Sequence, residues 1–119
     1  MDKYDICDSD YSFMSLVWDN EPIRSTLLAN LAVEKLGWKK STAFVYLGKL
    51  CDRGQLQNKG SIVTSLIRRE DVQNIKSKKY VNDTFHGSIS NLFSAYTSTE
   101  SLSDEEIKKL QDMISNYHK

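Results

Sequence analysis

The spacing of apolar residues predicts three helices in the first half of the chain. The first covers residues 9–19 and ends before Pro22, because proline removes a backbone donor and restricts the residue before it. Ser25 is placed to cap the second helix, and Gly37 to end it. The third helix ends before Gly54. The apolar stripes of the three helices are, in order, Phe13, Met14, Val17 and Trp18; Leu27, Leu28, Leu31, Ala32 and Leu36; and Ala43, Tyr46, Leu47, Leu50 and Cys51.

A short β-hairpin is predicted after the third helix. Residues 56–58 and 62–64 have strand-like composition and flank a predicted turn at Lys59-Gly60. Three helices followed by a hairpin is the element order of a winged helix-turn-helix. In such a fold the later helix enters the major groove of DNA, and the hairpin, called the wing, rests on the flanking backbone.

The second half of the chain predicts further helices. A helical pattern runs from Glu70 to Phe85 and is broken at residues 86–88, after which a second apolar stripe begins. Ser103 and Glu106 fit the capping box of a last helix. The predicted fold class is therefore mostly α, with a winged helix-turn-helix domain over residues 1–69 and a helical dimerisation domain over residues 70–119.

Dimerisation is predicted because about 50 residues are too few to build a comfortable core on their own. A second copy of the chain would cover the apolar faces of these helices, and a two-fold dimer suits a palindromic DNA site. An intramolecular core is the alternative. The candidate dimerisation residues are Tyr80, Phe85, Ile89, Leu92, Phe93, Ile107, Leu110 and Ile114.

Charge is segregated along a chain that is neutral overall, with 16 Lys and Arg against 16 Asp and Glu. Residues 1–34 carry two basic and seven acidic side chains, residues 35–79 eleven and three, and residues 80–119 three and six. The net charges of these three segments are therefore −5, +8 and −3. A basic middle between acidic ends is typical of a surface that faces a polyanion.

The basic residues of the first half coincide with the third helix and the hairpin. This coincidence favours double-stranded DNA as the partner, although solvated surface charge is the alternative for each residue. We expect Lys39, Lys40, Lys49, Arg53 and Lys59 to contact phosphates. We expect Ser41, Thr42 and Val45 to face base edges, with a helix-capping hydroxyl as the alternative role for Thr42.

Other chemistry finds little support in the sequence. Cys7 and Cys51 lie far apart and, like His86 and His118, have no partners at metal-ligand spacing, so we expect no metal and no cofactor. A core role is predicted for Cys51. His86 and Ser88 lack an orienting acid, so the chain is not expected to be an enzyme. No apolar run is long enough to span a membrane, and no signal peptide is recognised, so we expect a soluble cytoplasmic protein without a membrane partner.

Three segments carry a resemblance to a known family. Residues 6–18 contain an Ile, a small residue, an acid-aromatic pair, Met and a closing Trp. Residues 38–54 begin with Trp-Lys-Lys-Ser-Thr and end at Gly54, and residues 71–110 continue with Asp-Val, Tyr-Val-Asn and Leu-Ser motifs. Together, over essentially the whole chain, they resemble the penicillinase repressor family. This family of winged-helix regulators includes the β-lactamase, methicillin-resistance and copper-transport repressors.

The resemblance implies a homodimeric transcriptional repressor that binds a palindromic operator and controls an antibiotic-resistance or stress operon. In the β-lactamase branch a sensor-protease pathway relieves repression by cleaving the dimerisation region. The resemblance thus implies such a pathway as a partner and Ala95–Tyr96 as the candidate cleavage region, although Ala95 stands where that branch has Asn. The cysteine cluster of the copper branch is missing.

The third helix departs from the family pattern at several positions. Val45 and Gly48 replace residues that are usually polar in the relatives, and Phe44 replaces one that is often basic or an amide. Valine and glycine offer no side-chain hydrogen bonds to base edges, so the operator is expected to differ from that of the relatives. The alternative function is a winged-helix dimer that has lost specific DNA readout and presents Phe44, Val45 and Gly48 to a protein partner.

Overall fold

The computed structural model describes residues 3–118 and confirms the predicted fold class. It divides into two compact units, with the boundary between Lys78 and Lys79 inside the fourth helix. The elements in chain order are α1 (Asp8–Asn20), β1 (Ile23–Arg24), α2 (Ser25–Leu36), α3 (Lys40–Asp52), β2 (Leu56–Lys59), β3 (Ile62–Ser65), α4 (Arg69–Phe85), α5 (Ile89–Thr97) and α6 (Asp104–Ser115).

The core of the N-terminal unit forms where the apolar stripes of α1, α2 and α3 meet the small sheet. Phe13, Met14 and Val17 of α1 are completely buried, as are Leu28 of α2 and Leu50 of α3. Burying side chains of this size contributes roughly 1.5–3 kcal/mol each, so these stripes fix the packing of the three helices. The remaining buried members of this core include Leu16, Ala29, Ala32, Ala43, Leu47, Leu56, Val63, Ile67 and Val72.

Two glycines end α2 and α3 as predicted. Gly37 has a φ of 70° and donates its N–H to the carbonyl of Ala32. Gly54, two residues beyond α3, has a φ of 75° and donates to the carbonyl of Cys51. Side chains with a Cβ rarely adopt this left-handed conformation, so glycine at both positions allows the chain to turn sharply into the next element.

The predicted start and inner face of α2 need correction. Arg24 occupies the cap position without a side-chain hydrogen bond, and Ser25 is the first helical residue. The N–H of Ser25 is satisfied instead by the carbonyl of Ser61. Leu27 is 54% exposed, and Ala29 takes its place in the core. Ala29 therefore lies on the inner face of α2 and Leu27 on its outer face.

The wing belongs to a three-stranded antiparallel sheet with the order β1-β3-β2. Strand β1, which was not predicted, pairs Ile23 with Val63 of β3. The predicted hairpin is present, but its turn lies one residue later than expected. Gly60 and Ser61, with φ of 59° and 68°, form the turn, and Lys59 is the last residue of β2. Positive φ at both central residues is typical of the tight turns that match the twist of a hairpin.

The C-terminal unit contains the end of α4 together with α5 and α6. His86 and Gly87, both with positive φ, end α4, and Ser88 caps α5 by accepting a hydrogen bond from the N–H of Asn91. Ser103 caps α6 as predicted. No residue of α5 or α6 is buried. Among the helices of residues 3–118, none is long and apolar enough to cross a membrane.

Candidate nucleic-acid interface

The orientation of α3 is fixed by its inner face and by an aromatic cluster at its N-terminal end. Ala43, Leu47 and Leu50 lie in the core. The ring of Trp38 stacks in parallel on Phe13 of α1 at a centroid distance of 5.5 Å, and it contacts Tyr46 of α3 at 4.6 Å. Aromatic pairs of this kind contribute about 0.5–1.5 kcal/mol beyond their buried area. The opposite face of α3 is therefore presented to solvent in a defined position.

All the side chains predicted to contact DNA lie on the surface. Those between Lys39 and Arg53 lie on α3 or directly beside it, and Lys59 lies separately at the end of β2, the first strand of the wing. Because all of these side chains are exposed, the candidates for phosphate contact and those for base contact are both accessible from solvent. The exposed residues are Lys39, Lys40, Ser41, Thr42, Val45, Lys49, Arg53 and Lys59.

Acidic residues of α1 neutralise several cations of the basic middle segment. Asp10 is 4% exposed and accepts a hydrogen bond of 3.0 Å from Arg53, which lies directly after α3. Asp19 pairs with Arg69. Its hydrogen bond raises the pKa of that guanidinium above the ordinary arginine value. These ion pairs connect α1 to the end of α3 and to α4, so part of the segregated charge stabilises the unit.

A third pair also involves the first turn of α1, at Asp8. The ammonium of Lys76 lies 3.0 Å from Asp8 and also donates to the carbonyl of Ile6. By contrast, the lysines of α3 and the wing have no acidic partner within the described residues. These unneutralised lysines are Lys39, Lys40, Lys49 and Lys59.

One of these lysines is positioned by an aromatic ring. The ammonium of Lys49 lies 5.0 Å from the centroid of Tyr46, one turn earlier on α3. At an exposed site a cation–π contact contributes about 0.5–1 kcal/mol. The contact leaves the N–H donors of Lys49 free, since the ring interacts with the charge and not with a particular donor. Lys49 is therefore held near the helix surface with its N–H donors available.

The wing is anchored to the helices at both ends. Glu21, directly after α1, accepts hydrogen bonds from the backbone N–H and the hydroxyl of Ser65 at 2.9–3.0 Å. The carbonyl of Ser61, in the wing turn, accepts from the N–H of Ser25 at the start of α2. The hairpin is consequently held against the same helices that orient α3.

Five of the eight predicted dimerisation residues line exposed apolar grooves in the C-terminal unit, namely Ile89, Leu92, Phe93, Leu110 and Ile114. Helices α5 and α6 line two adjoining grooves of about 590 and 760 Å³, which share Ile89, Phe93 and Leu110. Phe93 is 51% exposed and Ile114 is 74% exposed. Tyr80 and Ile107 are also exposed, while Phe85, Leu92 and Leu110 are half-buried. Exposed apolar side chains that share one surface are a feature of protein interfaces.

The predicted cleavage region lies in a helix. Ala95 and Tyr96 are exposed in the last two turns of α5, and the carbonyl of Tyr96 accepts hydrogen bonds from Thr99 and Glu100. Proteolysis concentrates in exposed loops because the backbone there is not engaged in regular hydrogen bonds. Cleavage at this bond would require α5 to unwind first, and regulated cleavage stays a prediction.

Two features of the interface were missed by sequence reasoning. Asp10 shares the inner stripe of α1 with Phe13 and Val17, so a charged residue on the apolar face was the available signal for a buried ion pair. Glu21 carried no comparable signal, because its partner Ser65 is 44 residues away. Of the cysteines, Cys51 packs against the core as expected, and Cys7 is exposed.

Helix α3 packed on α2, with a β-hairpin directly behind it, defines the N-terminal unit as a winged helix-turn-helix. The penicillinase repressor family matches residues 6–116, which is nearly the whole chain. The chain therefore belongs to the penicillinase repressor family, a family of transcriptional repressors.

The chain is similar to curated relatives along almost its full length. It is 24% identical to the methicillin resistance regulatory protein MecI of Staphylococcus aureus strain Mu50, over 93% of this chain and 94% of the relative. It is 23% identical to the protein of the same name from Mammaliicoccus sciuri, with the same coverage. The match covers both units, so the relationship extends beyond the winged helix.

Proposed function

We propose that this protein is a homodimeric repressor that binds a palindromic operator in double-stranded DNA and controls an antibiotic-resistance or stress operon. Family membership supports the repressor role, and the similarity to methicillin resistance regulatory proteins supports the link to resistance. In this proposal α3 enters the major groove, and the wing contacts the flanking phosphates. The C-terminal unit joins the two copies.

The distribution of paired and unpaired cations carries the DNA-binding proposal. The acids of α1 neutralise Arg53, Arg69 and Lys76. The exposed lysines of α3 and the wing are left without acidic partners in the described part of the chain. An interface for a polyanion needs cations of this kind, since each phosphate that a lysine neutralises releases a condensed counterion.

A gel-shift titration against the DNA upstream of the protein's own gene tests specific binding. Lys40→Gln and Lys49→Gln should each weaken binding and reduce the slope of log K against log salt by about 0.9. Lys108→Gln and Lys109→Gln provide matched controls, because these exposed lysines lie on α6 in the other unit. The control variants should bind like the wild type.

Two outcomes would contradict the DNA-binding proposal. The first is affinity for the upstream duplex no greater than that for random duplex of equal length. The second is an unchanged salt slope in the double variant K40Q/K49Q, because then the unpaired lysines of α3 do not contact phosphates. Retention of a protein partner by that variant, with DNA binding absent, would favour the interaction module instead.

The exposed apolar grooves support the homodimer. Each groove is lined mostly by apolar side chains of α5 and α6, and neither helix buries a residue within its own unit. A two-fold interface would let the same surface on both copies cover itself. Such burial supplies the apolar contacts that a unit of about 40 residues cannot provide alone.

Sedimentation equilibrium of charge-introducing variants tests the homodimer. Phe93→Glu should shift the wild-type dimer to monomer, because dimerisation would bury a carboxylate without a partner. Leu27→Glu is the matched control, since Leu27 is about as exposed but lies on α2 of the N-terminal unit. A monomeric wild type at micromolar concentration, or a Phe93→Glu variant that remains dimeric, would refute this interface.

A further inference from the structure

An apolar stripe runs along the exposed face of α3, among the residues that face solvent. Val45 is 62% exposed and Phe44 is 40% exposed. Gly48 follows them by one helical turn, so the three positions share one face. Surface residues of a helix are usually polar, and two apolar side chains beside a glycine leave this part of α3 without hydrogen-bonding groups.

Nothing within residues 3–118 explains the glycine at position 48. Its φ lies outside the left-handed range, so the backbone conformation does not require glycine. A Cβ built at this position meets no atom of the described residues within 4 Å, so its described neighbours do not require glycine either. Glycine in a helix interior also weakens the helix relative to alanine. The missing side chain is explained if a surface outside the chain approaches α3 closely at this point.

The surroundings of the stripe identify the kind of surface that approaches. Lys39 and Lys40 precede it, and Lys49 borders it, all exposed and without acidic partners in the part of the chain that the structure describes. An apolar stripe bordered by unpaired lysines fits a polyanion that carries small apolar groups where the helix surface would contact it. Unmodified DNA has one such group in its major groove, the C5-methyl of thymine.

We propose that Val45 and Phe44 determine operator specificity by packing on thymine methyl groups, with Gly48 providing the space for close approach. The inference rests on the proposed function, since it requires α3 to lie in the major groove. In this inference α3 selects thymine by apolar contact with its methyl group and not by hydrogen bonds to the base edge. Each operator half-site should therefore carry at least one thymine whose methyl group, and not its O4 acceptor, contributes to affinity.

Replacing thymine by uracil tests this inference because it removes only the methyl group. The probe is a duplex selected from a random-sequence library by the full-length protein, with each thymine replaced in turn by uracil. At a contacted position the affinity should fall roughly threefold to tenfold. In the Val45→Ala or Phe44→Ala variant, the affinity for the thymine duplex divided by the affinity for the uracil duplex at that position should fall toward one.

A matched control separates this effect from a general loss of binding. Val33→Ala makes the same change at an exposed valine of α2, and the methyl effect should persist in that variant. Thermal unfolding verifies that each variant is folded. If Phe44→Ala fails to fold, the test rests on Val45→Ala alone. Val45 is the more exposed of the two side chains, so its truncation should disturb the fold less.

The outcomes distinguish this inference from the proposed function. If selection enriches no sequence, specific DNA binding itself fails. If a sequence is enriched but uracil binds as well as thymine at every position, the repressor proposal stands and methyl recognition is wrong. If the uracil effect survives unchanged in both Val45→Ala and Phe44→Ala, the methyl groups are read by other residues and the assignment to this stripe is overturned.

Discussion

The guanidinium of Arg53 donates a hydrogen bond of 3.0 Å to the carboxylate of Asp10, joining the end of α3 to the first turn of α1. The carboxylate is almost completely buried, whereas the arginine is partly exposed. A buried carboxylate needs a charged partner, because its desolvation is otherwise uncompensated. The pair therefore holds the C-terminal end of α3 in place while α3 presents its opposite face to solvent.

Removing the arginine alone should destabilise the N-terminal unit. Arg53→Gln leaves the Asp10 carboxylate buried without its cation, and we expect a loss of about 3 kcal/mol in the free energy of unfolding. The double variant D10N/R53Q should recover most of that loss, since it removes both charges together. Urea unfolding followed by tryptophan fluorescence measures this, because Trp18 and Trp38 both lie in this unit.

Arg68→Gln is the matched control for that measurement. Its ion pair with Glu70 is exposed on both sides, so its loss should change stability by no more than about 1 kcal/mol. Equal destabilisation by Arg53→Gln and Arg68→Gln would show that burial of Asp10 carries no special cost.

Local sequence signals were sufficient for the presence of the helices and for several of their ends, though not for the start of α2. Gly37 and Gly54 ended α2 and α3 where predicted, because the left-handed conformation is a property of the residue itself. Ser103 capped α6 for a similarly local reason, with its hydroxyl three residues from the N–H that it satisfies. The exposed positions of Ser41, Thr42, Val45 and Lys49 also followed from helical periodicity.

Features that depend on distant residues were not predictable in the same way. Strand β1 has two residues, and Ile23 adopts it only because Val63 is available for pairing. Leu27 belongs to the apolar stripe of α2 by spacing, yet tertiary packing places Ala29 inside instead. The pairing of Asp10 with a residue 43 positions away is likewise invisible to local pattern. Such contacts emerge only when the elements have packed together.

Replacing Gly48 by alanine should stabilise the protein while weakening DNA binding. The added Cβ meets no neighbour, and alanine is favoured over glycine in a helix by about 1 kcal/mol. The same methyl group occupies the space that we assign to the approaching DNA. Urea unfolding and gel-shift titration on the selected duplex measure the two effects separately.

Gly54→Ala provides the opposite control for that experiment. Its φ of 75° disfavours any residue with a Cβ, so the substitution should destabilise the protein by about 1–2 kcal/mol. A Gly48→Ala variant that gains stability and binds DNA with unchanged affinity would contradict the assigned role of that glycine.

Glu21→Gln should loosen the wing without unfolding the unit. The carboxylate accepts from both the N–H and the hydroxyl of Ser65, and a neutral amide accepts more weakly. Because the site is exposed, we expect a global loss of no more than about 1 kcal/mol. Hydrogen exchange should show a selective loss of protection at the Ser65 amide, while the amide of the core residue Leu50 keeps its protection. Equal loss at both amides would mean that Glu21 supports the whole unit and not the wing.

The two cysteines should differ in their reaction with iodoacetamide. Burial, and secondarily the charge of Asp52, raises the pKa of the Cys51 thiol, so less of it is present as the reactive thiolate at pH 8. Cys7 is exposed and should be modified first, as peptide mapping by mass spectrometry would show. Asp52→Asn should speed the modification of Cys51 and leave that of Cys7 unchanged.

The raised pKa of Cys51 also gives stability a defined pH dependence. The folded state binds the thiol proton more tightly than the unfolded state, so the contribution is fully present at neutral pH. It is lost as the pH rises through the raised folded-state value, and stability should therefore decrease in mildly alkaline solution. Cys51→Ser should flatten this part of the profile, and Cys7→Ser should not. A wild-type profile that stays flat through the thiol range, or one that flattens only in Cys7→Ser, would contradict the assignment.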